Sequence, residues 1–347
     1  MYMKTIFIIL LMLFPLYSQA DGYQLGRGLS LYEKDGFLLN LGGHLSLRAE
    51  GIESNNPTLK SNIGVENAGI MLYGEGSKYL SFLLEYGNEA LWNYNEDRSE
   101  TNDPVLRRGY VDIHLDTMAN LKLGRFLTPI GIYNPTYINA LRWSNIRPLV
   151  AQNFFPDIIT GAQLHGLLGT DIEYAIFTQL NDDEDVAVSH LPISEFSGGE
   201  LRYLFGINSR VALNYGTFKS NTLREICQFG GANVLYEWGD NEFSSEFLYK
   251  RGKWPTLNTQ YNRWEDLSWY AQYVQNLVPQ QYLSLRVGQK KREGEGVGSW
   301  DEQNGILGYI YRTDHALSYK AEYRYFERSG MNAYHTNELH LSFSVLF

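Results

Sequence analysis

Between Phe126 and Thr160 the titratable side chains are Arg142, Arg147 and Asp157, and Lys122 and Arg125 stand just before them. The stretch is locally basic, in a chain whose formal net charge is −10. Fixed charges of this kind select among ions. In a narrow, low-dielectric passage a few near cations outweigh distant charges, which salt screens over roughly 8 Å. Arg125, Arg142 and Arg147 are therefore expected to bias a passage toward anions, with Lys122, Arg108, Asp112 and Asp157 completing its charged lining. The competing expectation is that some of these arginines pair with wall carboxylates such as Asp112 or Glu173 and only pin the loop.

Covalent chemistry has less to stand on. The sequence contains no G-x-S-x-G turn and no H-E-x-x-H pair. His44 and His340, with Ser46 or Ser342 nearby, are the best candidates for a base and nucleophile, if the strands bearing them are neighbours. A nucleophile also needs an oriented base and an oxyanion site, and neither is visible. Cys227 is the single cysteine, so no intrachain disulfide forms. The run Gly294-Glu295-Gly296-Val297-Gly298 lacks the spacing of a nucleotide loop and reads as a surface loop. Asp182-Asp183-Glu184-Asp185 suits divalent cations at a lipopolysaccharide surface, though such runs are more often simply solvated. The expectation is no enzyme, no cofactor and no metal site. The acidic balance disfavours nucleic acid as a partner.

The elements that must position these charges are strands. Lys4, the apolar run Ile6 to Leu16, and Ser18-Gln19-Ala20 make an export signal over residues 1–20. No other apolar run approaches the ~20 residues of a membrane helix. The stretch Glu338 to Phe347 alternates strictly. Leu339, Leu341, Phe343, Val345 and Phe347 share one parity, and Glu338, His340, Ser342 and Ser344 the other. This pattern recurs about sixteen times. The first three segments are Gly36–Glu50, Glu66–Tyr73 and Tyr79–Gly87. Later pairs are joined by short turns such as Leu168-Gly169-Thr170 and Trp238-Gly239-Asp240-Asn241. Longer polar connections alternate with these turns.

An even strand count, with short turns on one side and long loops on the other, predicts an all-β antiparallel transmembrane barrel over residues 21–347. Its short-turn side faces the periplasm. The composition agrees: 14% aromatic, 26 Tyr and 33 Gly, but only 10 Pro. Tyr73, Tyr86, Tyr174, Tyr249, Trp269, Tyr273, Tyr319, Tyr325 and Phe347 are expected on the outer face as interfacial girdles. The inward parity is expected to carry Arg48, Arg108, Arg202, Lys250, Arg286, Lys320 and Arg324. It also carries Glu85, Asp112, Glu173, Glu200, Glu237, Glu246 and Glu322. One connection is out of scale. Leu127–Thr160 spans 34 residues, rich in Ile, Leu, Phe, Tyr and Trp. A loop of that length is usually functional or disordered, and its composition argues against disorder. It is expected to fold inward and narrow the lumen of a barrel wide enough to hold water.

At its start, Leu121-Lys122-Leu123-Gly124-Arg125-Phe126-Leu127-Thr128-Pro129-Ile130-Gly131 resembles the "Gly-polar-Phe, small-Pro-hydrophobic-Gly" motif of the phosphate-selective (O/P) porin family. The resemblance is specific over Lys122 to Gly131 and architectural elsewhere. It implies a homotrimeric channel in a Gram-negative outer membrane, with the motif opening an inward-folded third loop. Outer-membrane lipid, lipopolysaccharide and small hydrophilic solutes or anions are its expected partners. The alternative expectation is a barrel acting mainly as adhesin, receptor or surface-structural protein.

Overall fold

A computed structural model describes residues 23–24, 26–95, 99–180, 183–188, 191–206, 208–220, 225–255, 261–294, 298–313 and 316–347. The expected signal at 1–20 lies outside them, and so do Asp182 and the side chains of the rest of the acidic run.

Sixteen antiparallel strands make the wall. The first eight are β1 (Phe37–Ser54), β2 (Asn62–Gly76), β3 (Leu80–Asn95), β4 (Val105–His114), β5 (Asn120–Leu127), β6 (Ile158–Leu168), β7 (Ile172–Gln179) and β8 (Leu191–Leu204). The remainder are β9 (Arg210–Ser220), β10 (Ile226–Trp238), β11 (Asn241–Pro255), β12 (Tyr261–Val278), β13 (Gln281–Gly294), β14 (Trp300–Thr313), β15 (Leu317–Gly330) and β16 (Tyr334–Leu346). Each pairs with its neighbour in sequence. β16 closes on β1, from Thr336 opposite Ser54 to Leu346 opposite His44. Closure leaves no open edge to template unwanted pairing. Below Leu346, the short strand Gly28–Lys34 takes over the free edge of β1. Phe347 then bonds Gly43 in both directions through its backbone.

Every expected strand is present, and most run further than the alternation shows. The added residues lie mainly on the long-loop side. There the inner face carries buried apolar residues such as Phe196, Phe229 and Trp264, packed in the core, so the polar-in, apolar-out contrast of period 2 is lost. The long loops shrink accordingly, leaving the connection from β5 to β6 as the exceptional one. The short turns need backbone that only some residues supply. Gly239 has a φ of 59° in the two-residue turn between β10 and β11.

The outer face is apolar. Ile70, Ile176, Leu213 and Leu341 stand 49–66% exposed on it. A continuous exposed belt of this kind, on a closed barrel, is a surface made for hydrocarbon. Tyr73 is a correction to the expected girdle. It lies opposite Asn40 on the inner face, beside Met71, and its hydroxyl bonds the Arg27 carbonyl. The other described girdle aromatics of β3, β7, β11, β12 and β15 keep the outer parity.

Among the bulges of the wall, two bear on the lumen. Glu66 is the extra residue between β2 and β1, and Arg107 the extra residue between β4 and β3. Bulges re-aim side chains, and both of these turn a charge into the lumen.

Candidate functional site

The segment from Thr128 to Asp157 is pinched at its base. Thr128 N–H donates to the Asp157 carbonyl at 2.9 Å, and Thr128 Oγ1 donates to the Pro156 carbonyl at 2.5 Å. Asn134 Nδ2 donates to the Thr128 carbonyl at 2.7 Å and ties the next turn down. Ile130, Val150, Phe154 and Phe155 then pack against Phe126, Ile159, Phe177, Phe196, Phe218 and Phe229 of the wall. The larger apolar cluster thus sits between the segment and β5 to β12, and a smaller one joins Tyr137, Ile138 and Ala140 to Met71 of β2.

Most of this segment is neither helix nor strand, apart from two short 3-10 turns at Asn139–Leu141 and Leu149–Ala151. Its buried backbone groups therefore need partners from outside. Wall charges supply them. Lys250 Nζ donates to the carbonyls of Asn153 and Phe154, Arg286 Nη2 to Ile146 and Lys290 Nζ to Gln152. Lys320 Nζ donates to Asn139, Arg312 to Arg142 and Arg202 Nη2 to Pro129. The carboxylates take the N–H groups: Glu200 from Gly131, Glu246 from Ile132 and Tyr133, and Glu322 from Asn145. Charge-assisted bonds are the strong ones, and they come from β8, β11, β13, β14 and β15. His44 of β1, Glu66 of β2 and Ser342 of β16 add side-chain bonds to Tyr137, Asn139 and Asn145.

The motif at the head of the segment acquires a local reason. Gly131 has a φ of 79°, and a Cβ there would overlap the Glu246 carboxylate that receives the next two N–H groups. Only glycine turns the chain at that point and lets the carboxylate approach.

The expected site residues separate into groups. Lys122 Nζ lies 3.4 Å from Asp112 Oδ2 and 4.8 Å from the Tyr110 ring centroid, facing inward. Asp112 also bonds His165 Nε2 at 2.9 Å. Arg108 pairs with fully buried Glu85 and lies over the Tyr137 ring at 4.9 Å. Arg142 is buried, stacked 4.2 Å over Tyr133, with Nε bonded to the Thr136 carbonyl at 2.5 Å. Arg147 Nη2 bonds Asp157 Oδ2 at 2.7 Å within the segment itself.

Arg125 is a correction. Strand alternation puts it on the face opposite Lys122 and buried Phe126, where Nη1 bonds outward-facing Thr160 at 3.3 Å. It cannot line the lumen. The arginine that parity missed is Arg107, which the bulge brings to 5.3 Å over the same Tyr137 ring as Arg108. The expected pairing of loop arginines with Asp112 or Glu173 is not what these bonds show. Arg147 uses Asp157, and Glu173 lies 3.6 Å from Arg202.

The histidine pair comes apart too. Leu346 stands opposite His44, and Glu50 opposite His340. The two rings are six positions apart in register, about 20 Å. His44 Nε2 bonds Glu85 and Tyr137, and His340 Nε2 bonds Glu338 at 2.8 Å. None of these three bonds reaches a serine. Ser46 pairs with Ser344, and Ser342 receives Asn145. Glu50, Glu338 and His340 do share a corner, their ligand atoms within 4.8 Å of one another. Arg48 and Arg324 lie against its two carboxylates and supply the countercharge.

Among the described residues three cavities border the segment; one, of about 410 Å³, touches it only at Gln152 and is lined by Lys60 and Arg324 with Glu50, Glu302 and Glu338, and two flank it more closely. One of about 300 Å³ opens toward the long-loop side and is lined by Arg48, Arg142, Arg147 and Arg324, with Glu50 and Glu66. The other, of about 480 Å³, lies toward the short turns and is lined by Arg108, Lys122 and Arg202, with Glu173.

No protein-family profile matches the sequence, and no curated protein sequence matches it either. Solved structures do. The anion-selective porin from Comamonas acidovorans aligns with a TM-score of 0.65 and 11% identity, covering 90% of this chain and 100% of that one. OmpT, an outer membrane protein of Vibrio cholerae, in its trimer form, gives 0.65 and 11% over the same shares. The outer membrane channel DcaP of Acinetobacter baumannii gives 0.63 and 12%, covering 92% and 99%. The chain therefore has the fold of the outer-membrane porins, a closed sixteen-strand antiparallel barrel.

Proposed function

We propose that this protein is a passive diffusion channel of a Gram-negative outer membrane, exported on residues 1–20 and biased toward anions. The observation that carries the reading is the charge of the two flanking cavities. Their linings hold seven cations, Arg48, Arg108, Lys122, Arg142, Arg147, Arg202 and Arg324, against three carboxylates, Glu50, Glu66 and Glu173. The chain as a whole is acidic. Fixed charges facing a confined aqueous path dominate selectivity over those on the outside.

The docked segment is the constriction on this reading. It narrows the lumen by packing against β5 to β12 and bonding to the remaining wall, and the cavities described above are the open spaces beside it. Small hydrophilic solutes pass without chemistry, so no catalytic group or cofactor is needed. The similar barrel described as an anion-selective porin agrees with the sign of the bias. The motif Lys122 to Gly131 supports kinship with the phosphate-selective family. The similar barrel solved as a trimer supports a homotrimer, embedded in outer-membrane lipid and lipopolysaccharide.

The test is single-channel conductance of the refolded protein in a planar bilayer, with the reversal potential in a salt gradient. Stepwise conductance with anion preference is expected. Cation preference would overturn the charge argument and keep the channel. Silence from a correctly folded barrel would overturn the channel.

A further inference from the structure

The cavity toward the short turns has a lining of two unlike kinds. One is cationic, with Arg108, Lys122 and Arg202. Each of these cations has a carboxylate set against it: Glu85 for Arg108, Asp112 for Lys122 and Glu200 for Arg202. Glu85 and Glu200 have fully buried side chains, and Asp112 nearly so. None of the three lines the cavity, so a solute there meets the cations rather than their partners. Glu173 is the exception, a lining carboxylate 3.6 Å from Arg202 Nη1.

The rest of the lining includes the apolar side chains of Tyr110, Phe126, Leu127, Pro129 and Pro135. The two kinds meet where Lys122 Nζ lies 4.8 Å from the Tyr110 ring centroid. An inorganic anion would use only the first kind, and an uncharged ring only the second. A negative head on a flat apolar body uses both.

We propose that this cavity is a transient binding site for small aromatic carboxylates crossing the channel. The proposal rests on the channel reading above and names its solute class. A volume of about 480 Å³ falls within the range of small-molecule sites. The site stands open to water and shares its cations with fixed carboxylates, so it holds its solute weakly. A channel requires that, since a solute bound too tightly would not leave.

The test adds benzoate, acetate or inorganic phosphate at equal concentration to single-channel recordings in potassium chloride. Benzoate is expected to interrupt the current saturably, with an apparent affinity at least about tenfold above the other two. Lys122→Met and Arg202→Gln are expected to abolish the interruption. Tyr110→Leu is expected to bring benzoate down to the level of acetate. Equal effects of the three anions, or benzoate block unchanged in Lys122→Met, would overturn the site while the channel reading stood.

Equilibrium binding of benzoate to the detergent-solubilised barrel reads the site without conduction. Binding that Lys122→Met removes supports the site even in a silent barrel, and absence of binding to the parent protein overturns it. Retarded migration of the unheated barrel on a gel shows which variants have folded.

Discussion

Lys250 Nζ donates to the carbonyl of Phe154 at 2.9 Å while standing 4.7 Å from the centroid of the same residue's ring. A single wall cation thus holds both the backbone and the side chain of the loop. The lysine is 2% exposed and lies 3.5 Å from fully buried Asp266. Replacing it by Met would strand that carboxylate beside Arg292 alone and leave two loop carbonyls short of a donor. Breaking a buried charged cluster from one side costs on the order of 3–5 kcal/mol. Lys250→Met is expected to lower the temperature at which the folded barrel melts in detergent. An unchanged melting temperature would show that the cluster contributes nothing.

Gly131→Ala probes the head of the loop. It places a side chain at a φ of 79°, into space held by Glu246. The backbone term alone costs about 1–2 kcal/mol. The expected result is faster proteolytic cutting between 128 and 157, with the wall still intact on a gel. Unchanged cutting would mean that the loop finds another route into the lumen.

The two faces of the wall give a contrast in selectivity. Arg108→Ala is expected to reduce the anion-to-cation permeability ratio, on the order of twofold, because it removes a lumenal charge in a confined path. Arg125→Ala is expected to leave the ratio as it was, because Arg125 lies on the outer face beside Thr160. Reversal potentials decide the matter, and equal effects of the two substitutions would contradict the strand parity described here.

Arg107 gives a third test. It shares the Tyr137 ring with Arg108 only because a bulge adds a residue to β4. Deleting Val105 would leave the bulge in place. Deleting Arg107 would remove it and restore regular pairing with β3. The second deletion is expected to shift the reversal potential toward cations, and the first is not.

How far the sequence could be read follows from these residues. Lys122, Arg108 and Asp112 were legible as lumenal because parity on a regular strand fixes the face. Only its neighbours' charge points Arg125 to the lumen; its own parity points outward. Arg107 and Glu66 were not legible, because a bulge breaks the count of two on which parity rests. Tyr73 is a different case, since it lies in regular register with inward Met71 and only its aromatic type points it outward. The partners of Lys250, Arg286 and Lys320 were out of reach for another reason. Their acceptors are loop carbonyls about 100 to 180 residues away in sequence, and nothing in a carbonyl's sequence neighbourhood marks it as needing a cation. The sixteen strands were legible almost whole. Their upper ends were not, since there apolar residues such as Phe196 and Trp264 take the inner face and the polar-in, apolar-out pattern breaks.

The loop's partners come from nearly the whole circumference of the barrel, from His44 on β1 to Ser342 on β16. A peptide bonded to both sides of the seam cannot finish docking while the seam is open. The segment enters the chain after β5, yet Asn145 waits for Glu322 of β15 and Ser342 of β16. Its final seating is therefore among the last events in the birth of the molecule. A chain truncated before the last hairpin would lack Glu322 and Ser342 and leave an apolar segment unseated.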